Sequence, residues 1–141
     1  MAKTNPGQVQ FINPTGLHPN PAFTHMVTVS GPVKTVYIGA QVAVDQSGNL
    51  VGKGDIAAQT RQILKNIEIC LEAAHAGPEH LVHWTIQVAE GQDMRPAFET
   101  GLRWWGARPN PPLNNVMYVA GFSPADFLIS IEALAIVPIE G

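Results

Sequence analysis

The run Phe127 to Val137 (FLISIEALAIV) constrains the fold more than any other segment. One alternating set, Phe127, Ile129, Ile131, Ala133 and Ala135, is apolar throughout, and the other is interrupted only by Ser130 and Glu132. A strand with two apolar faces belongs in a sheet covered on both sides. Helices of the same chain can cover one side. The other needs a cover that one chain does not supply, and a symmetric oligomer provides it. Composition points the same way, because only 13% of the 141 residues are charged, against about 25% in an ordinary soluble domain. A chain of this length forms one domain, residues 1–141, burying about two thirds of its unfolded surface.

Ahead of that strand, residues 1–22 form an irregular arm rich in Pro, Asn and Gly, with only Val9 to Ile12 reading as a short strand. Met26, Val27 and Val29 make a strand ended by Ser30-Gly31-Pro32, and Val33 to Val44 makes another before the turn cluster Asp45 to Asn49. These segments predict an opening β-meander. Asp55 can cap a helix of about five turns, whose stripe is Ile56, Ile63, Leu64, Ile67, Cys70, Leu71 and Ala74. It should stop near His75 to Gly77, either of which can take the left-handed position. Val82, Trp84, Ile86 and Val88 alternate with polar residues as a half-buried strand, and Asp93 starts a second helix carrying Met94, Ala97, Phe98, Leu102 and Trp105. Val116 to Ala120 is the strand before the last one. The order implies an α+β domain with two helices packed on one face of a mixed sheet.

The same residues exclude several functions. A mean hydropathy of +0.06 with 45% hydrophobic residues rules out disorder. The net charge is −3, and the eight cations form no run along the sequence, so phosphate contacts with nucleic acid are not expected. No apolar stretch is long enough for a membrane span, the N-terminus lacks a secretory h-region, and a cytoplasmic location is expected. One cysteine, Cys70, allows neither an internal disulfide nor a multi-cysteine zinc site. Among the five histidines only His80 and His83 cluster, across a loop-to-strand junction without an HExxH pattern, so no metal site is expected. Ser30, Ser47 and Ser123 lie in turn-like segments without a G-x-S-x-G context. Trp104 and Trp105, adjacent on a helix, should place one ring in the core and the other at an interface.

Three spaced groups carry a resemblance. They are Asp45-x-x-Gly48; Asp55, Gln59, Asn66, Leu71 and Ala74; and Pro78-Glu79-His80-Leu81-Val82, with Ile131-Glu132-Ala133-Leu134-Ala135 closing the chain. Together they resemble the RidA family, also called YjgF or L-PSP, over residues 23–137. The resemblance implies a chorismate-mutase-like α+β fold that assembles as a homotrimer, with the sheets in a central barrel and small-molecule clefts between subunits. It further implies hydrolysis of enamines or imines to ketoacids and ammonia without a cofactor. In such members an arginine at the start of the penultimate strand grips the substrate carboxylate, and a glutamate on the last strand orients the attacking water.

This chain departs from that pattern. Counting back from Ile131-Glu132-Ala133 places Asn115 at the arginine position, whereas counting forward from Pro112 places Asn114 there. Ser130 stands at the glutamate position, Gly39 at a serine position, Phe23 at an aromatic position usually held by Tyr, and Met117 at a cysteine position. A guanidinium binds a carboxylate through a bidentate charged pair that an amide cannot reproduce. Glu132 shares the parity of Ser130 and is the candidate catalytic residue, although it lies roughly 6–7 Å further along the strand. The leading expectation is a trimer with an intersubunit cleft for a less acidic small molecule. An imine or enamine deaminase using other residues is the alternative, and an endoribonuclease or translation inhibitor ranks last.

Overall fold

Asp55 opens the first helix, α1 (Ile56–Ala73), because its carboxylate accepts a hydrogen bond from the Ala58 N–H at 3.1 Å. Residues 5–140 are described in the computed structural model. At its far end α1 turns off through His75, whose φ of 55° settles the choice between His75 and Gly77. The face that α1 buries includes Ile56, Ile63, Leu64, Ile67 and Leu71, as the stripe predicts, and also Gln59 and Thr60. Those two polar side chains are satisfied. Thr60 donates to the Ile56 carbonyl, and the Gln59 amide donates to the Gly52 and Asp126 carbonyls and accepts from the Leu128 N–H at 2.8 Å. The Asn66 amide similarly donates to the Val42 and Val44 carbonyls. Gln59 and Asn66 therefore tie residues 42–52 and 126–128 to the helix.

The strands are β1 (Gln8–Ile12), β2 (Met26–Ser30), β3 (Val33–Gln41), β4 (Leu81–Ala89), β5 (Leu113–Val119) and β6 (Ile129–Pro138), with the second helix, α2 (Arg95–Trp105), between β4 and β5. The expected meander is not what forms. β1 and β2 pair with each other in a separate two-stranded sheet, while β3 joins a four-stranded sheet of order β3-β6-β4-β5. The break falls at Gly31, with φ 76°, and Pro32, which has no N–H to give a ladder; the Pro32 carbonyl accepts from Ile139, leading the chain onto the end of β6. β4 and β5 run parallel and the other pairs antiparallel, so the sheet is mixed.

Both helices cover one face of this sheet. Ile129, Ile131, Ala133 and Ala135 of β6 pack into the core beneath α1, with Leu81, Val88, Ala97 and Trp105. On the opposite face of β6, Ser130 and Ile136 are buried and Leu134 is half-buried, while Glu132 reaches solvent. Two further differences are local. α2 begins two residues after Asp93, whose carboxylate accepts from the Arg95 N–H at 3.0 Å and so does the work of a cap from just outside. Trp105 is buried as expected, but Trp104 finds its partners within the chain: its ring lies 6.1 Å from that of Trp84 and its indole N–H donates to Glu68.

Candidate functional site

Strand registers arrange the open face of the sheet, the one turned away from the helices, into rows. Asn115 of β5, Thr85 of β4 and Glu132 of β6 form one row; Met117, Gln87 and Ser130 form the next. A third row holds Leu113, His83, Leu134 and, on β3, Tyr37. Neighbouring strands are roughly 4.8 Å apart, which puts Asn115 and Glu132 roughly 10 Å from each other across Thr85. Tyr37, Gly39, His83, Thr85, Glu132 and Leu134 line a shallow depression on this face.

Alternation along β5 also separates the two asparagines. Asn115 belongs to the open face, where its Nδ2 lies 3.3 Å from Nε2 of His83. Asn114 belongs to the helix side and lines a cavity beneath α2. Ser130 is buried, with its hydroxyl 3.4 Å from the side-chain Oε1 of Gln87, and the Gln87 side-chain Nε2 reaches toward the Met117 sulfur. Gly39 is open on the side a Cβ would occupy. Phe23 lies elsewhere, edge-on to His25 in the segment before β2. The fold thus gathers Asn115, Met117, Ser130, Glu132 and Gly39 on one sheet face, and places Asn114 and Phe23 away from it.

Two features are not read from the linear sequence. His83 enters that reading only as a metal candidate, yet the alternation His83, Thr85, Gln87 marks a polar strand face and supplies the signal that it joins Asn115. Three cations scattered along the chain, Arg61, Lys65 and Arg103, come together around a groove between α1 and α2 that also holds Glu68 and Trp104. On the open face itself, the rows contain Glu132 as their only carboxylate and neither lysine nor arginine. A carboxylate ligand would meet a neutral amide at Asn115 and a like charge at Glu132.

Among the described residues no group of three His, Cys, Asp or Glu side chains is placed to hold a metal ion, and no helix is long and apolar enough to cross a membrane. His80 is occupied otherwise, its Nδ1 accepting from the Gly77 N–H at 3.0 Å. Cys70 is partly buried against the core.

A two-helix α+β domain with this element order and sheet is the architecture of the RidA and YjgF proteins, and comparison with known proteins agrees. Residues 16–137 match the family described as endoribonuclease L-PSP. A RutC family protein of Pyrococcus horikoshii is 32% identical over 100 residues, covering 71% of this chain and 77% of that protein. The human 2-iminobutanoate/2-iminopropanoate deaminase is 30% identical over 103 residues, 73% of each chain. Among solved structures, the Rid-family protein YyfB from Yersinia pestis, itself of unknown function, superposes with a TM-score of 0.79 at 32% identity, covering 90% of this chain and 97% of that one. The chain belongs to the RidA/YjgF/L-PSP family.

Proposed function

We propose that the protein is a homotrimeric, cofactor-independent RidA-family protein whose open sheet face forms, with a neighbouring subunit, a cleft for a small molecule without a carboxylate. It does not act as a standard imine deaminase. The observation that carries this reading is the make-up of the Asn115–Thr85–Glu132 and Met117–Gln87–Ser130 rows, where amides and hydroxyls stand and the one charge is negative. Trimer formation is supported by exposed apolar surface, with Tyr37 84% and Met117 42% exposed on that face, since such surface marks contact sites. RNA is not favoured as the ligand of this face, because its rows hold neither lysine nor arginine for phosphate contacts. The test is hydrolysis of 2-iminobutanoate, generated in situ by an amino-acid oxidase: turnover at background rate is expected, and turnover typical of an efficient enzyme overturns the reading.

A second reading rests on the His83–Asn115 contact at 3.3 Å. Glu132 is diagonal to His83 on the neighbouring strand, a separation of roughly 7–8 Å between backbones that long side chains span. In this reading His83 takes a proton from water as the water oxygen bonds to the imine carbon, and gives it to the nitrogen that receives the C=N π pair, which makes a carbinolamine. The carbinolamine hydroxyl proton then passes through His83 to the amine nitrogen, the O–H electron pair forms the C=O bond as the C–N bond breaks, and ammonia and a ketone leave. Loss of turnover in His83→Ala, starting from an active wild type, would select this alternative.

A further inference from the structure

In a chain of net charge −3 with eight lysines and arginines, three of those cations line one groove of about 430 Å³ between the two helices: Arg61 and Lys65 of α1 and Arg103 of α2. All three are exposed. Arg61 and Lys65 stand four residues apart on one helix face, a spacing at which like charges destabilise a helix. Glu99 precedes Arg103 by four residues, which suits an ion pair, yet the ion-pair contacts among the described residues are Asp93–Arg95 and Glu79–His80. The one carboxylate in the groove, Glu68, accepts the indole N–H of Trp104. Three cations against that carboxylate leave the groove with a net charge of +2.

Leu64 and the half-buried ring of Trp104 give the same groove apolar surface. The ring is held in place, with Trp84 6.1 Å and the Arg108 guanidinium 5.4 Å from it. The complementary ligand therefore carries two negative charges and an apolar part. We propose that the groove is a second ligand site, for a small organic phosphate monoester whose phosphate lies between the cations of α1 and Arg103 of α2 and whose organic group rests on Trp104 and Leu64. A phosphate monoester is a dianion above its second pKa of about 6, and its three terminal oxygens can accept from guanidiniums on both walls at once. A monocarboxylate matches half of that charge. The volume falls within the roughly 300–1,000 Å³ of small-molecule sites and exceeds what a bare phosphate fills. A nucleic acid needs a charged track for successive phosphates, whereas three cations in one groove suit a single phosphate. The site is independent of the function proposed for the open face, because both helices lie on the other side of the sheet.

Phenyl phosphate and benzenesulfonate test the proposal, since each carries three terminal oxygens beside a benzene ring, while at about pH 8 the first is a dianion and the second a monoanion. In ¹H–¹⁵N NMR titrations of the wild-type protein at low ionic strength, phenyl phosphate should give saturable shifts of the Trp104 indole N–H and of the Arg61 and Arg103 Nε–H groups. It should bind at least about threefold tighter than the sulfonate, by an excess that shrinks as salt is added. Arg61→Gln and Arg103→Gln should each weaken phenyl phosphate by at least about threefold, and Lys53→Gln, which removes an exposed cation elsewhere, should leave it unchanged. Equal affinities for the two probes, saturable shifts confined to residues outside the groove, or glutamine variants of Arg61 and Arg103 that bind as wild type does would overturn the proposal. So would a short single-stranded RNA that binds through the same residues at least about tenfold tighter than phenyl phosphate, which would make the groove a nucleic-acid surface.

Discussion

Replacing Asn115 by Arg puts a guanidinium on the open sheet face, and the structure sets what that should do. A hydrogen bond to a charged group contributes about 1.5–3 kcal/mol. Against this stands Glu132, in the same row across Thr85. An arginine at 115 is long enough to approach it, and an exposed ion pair of that kind is worth about 0–1 kcal/mol, which the ligand must displace. The net gain for a carboxylate is then roughly 0.5–3 kcal/mol, from about twofold to more than a hundredfold in affinity. Calorimetric titration with 2-oxobutanoate measures it, and Glu132→Gln in the Asn115→Arg background should move the gain toward the upper end. Asn114→Arg is the discriminating control, because it drives a guanidinium into the cavity under α2, where no carboxylate meets it; a buried unpaired charge should cost several kcal/mol of stability. Hydrolysis of 2-iminobutanoate should require Asn115→Arg together with Ser130→Glu, since a held substrate without a base, or a base without a held substrate, lacks half of the apparatus. A stable Asn114→Arg protein that gains carboxylate affinity, beside an Asn115→Arg protein that gains none, would refute this assignment of faces.

Three further outcomes are expected. Gln59→Leu strands the Gly52 and Asp126 carbonyls and the Leu128 N–H, and at about 1–3 kcal/mol for each buried group left without a partner it should lower unfolding stability by at least about 2 kcal/mol in urea denaturation; a loss below 0.5 kcal/mol would show that water replaces the amide. Light scattering should give about three times the 15.1 kDa chain mass, and a stable monomer at micromolar concentration would contradict the trimer. The hydrogen bonds that Arg95 gives the Asp93 carboxylate, from its side chain first and then its backbone, hold that carboxyl below its ordinary value. Its contribution is therefore complete above the unfolded-state pKa of about 3.9 and is lost as pH falls through the lower folded value. NMR titration of Asp93 should show this depression, and Arg95→Gln should return it toward the ordinary range.

What was legible in the sequence was what depends on neighbours in sequence. The stripe of α1 and its Asp55 cap follow from a 3.6-residue period and one side-chain oxygen, and the structure has both. The partner of β3 does not follow from such a pattern. Val33 to Gln41 is equally suited to a meander and to β6, roughly a hundred residues later, and the Gly31-Pro32 break decides between them. Burial of Gln59 on an otherwise apolar stripe has the same origin, because its partners at Asp126 and Leu128 lie 67 and 69 residues away. The groove formed by Arg61, Lys65 and Arg103 likewise needs the packing of α1 on α2.

The paired asparagines show how a site can be half legible. Ungapped counts from the two flanking anchors give Asn114 and Asn115 with equal right, because either count leaves the residue types unchanged. Side-chain direction breaks the tie. Adjacent strand residues point to opposite faces, and the parallel register of β5 with β4 sets Asn115 beside Thr85 and Asn114 beside Trp84. Thr85 continues the polar alternation that holds His83 and Gln87, whereas Trp84 continues the apolar one that lies under α2. One amide therefore stands among polar groups that satisfy it, within reach of His83. The other has a buried oxygen with no donor, among aromatic and aliphatic walls. That single alternation gives the two positions their different surroundings, polar side chains of the open face around Asn115 and apolar walls under α2 around Asn114.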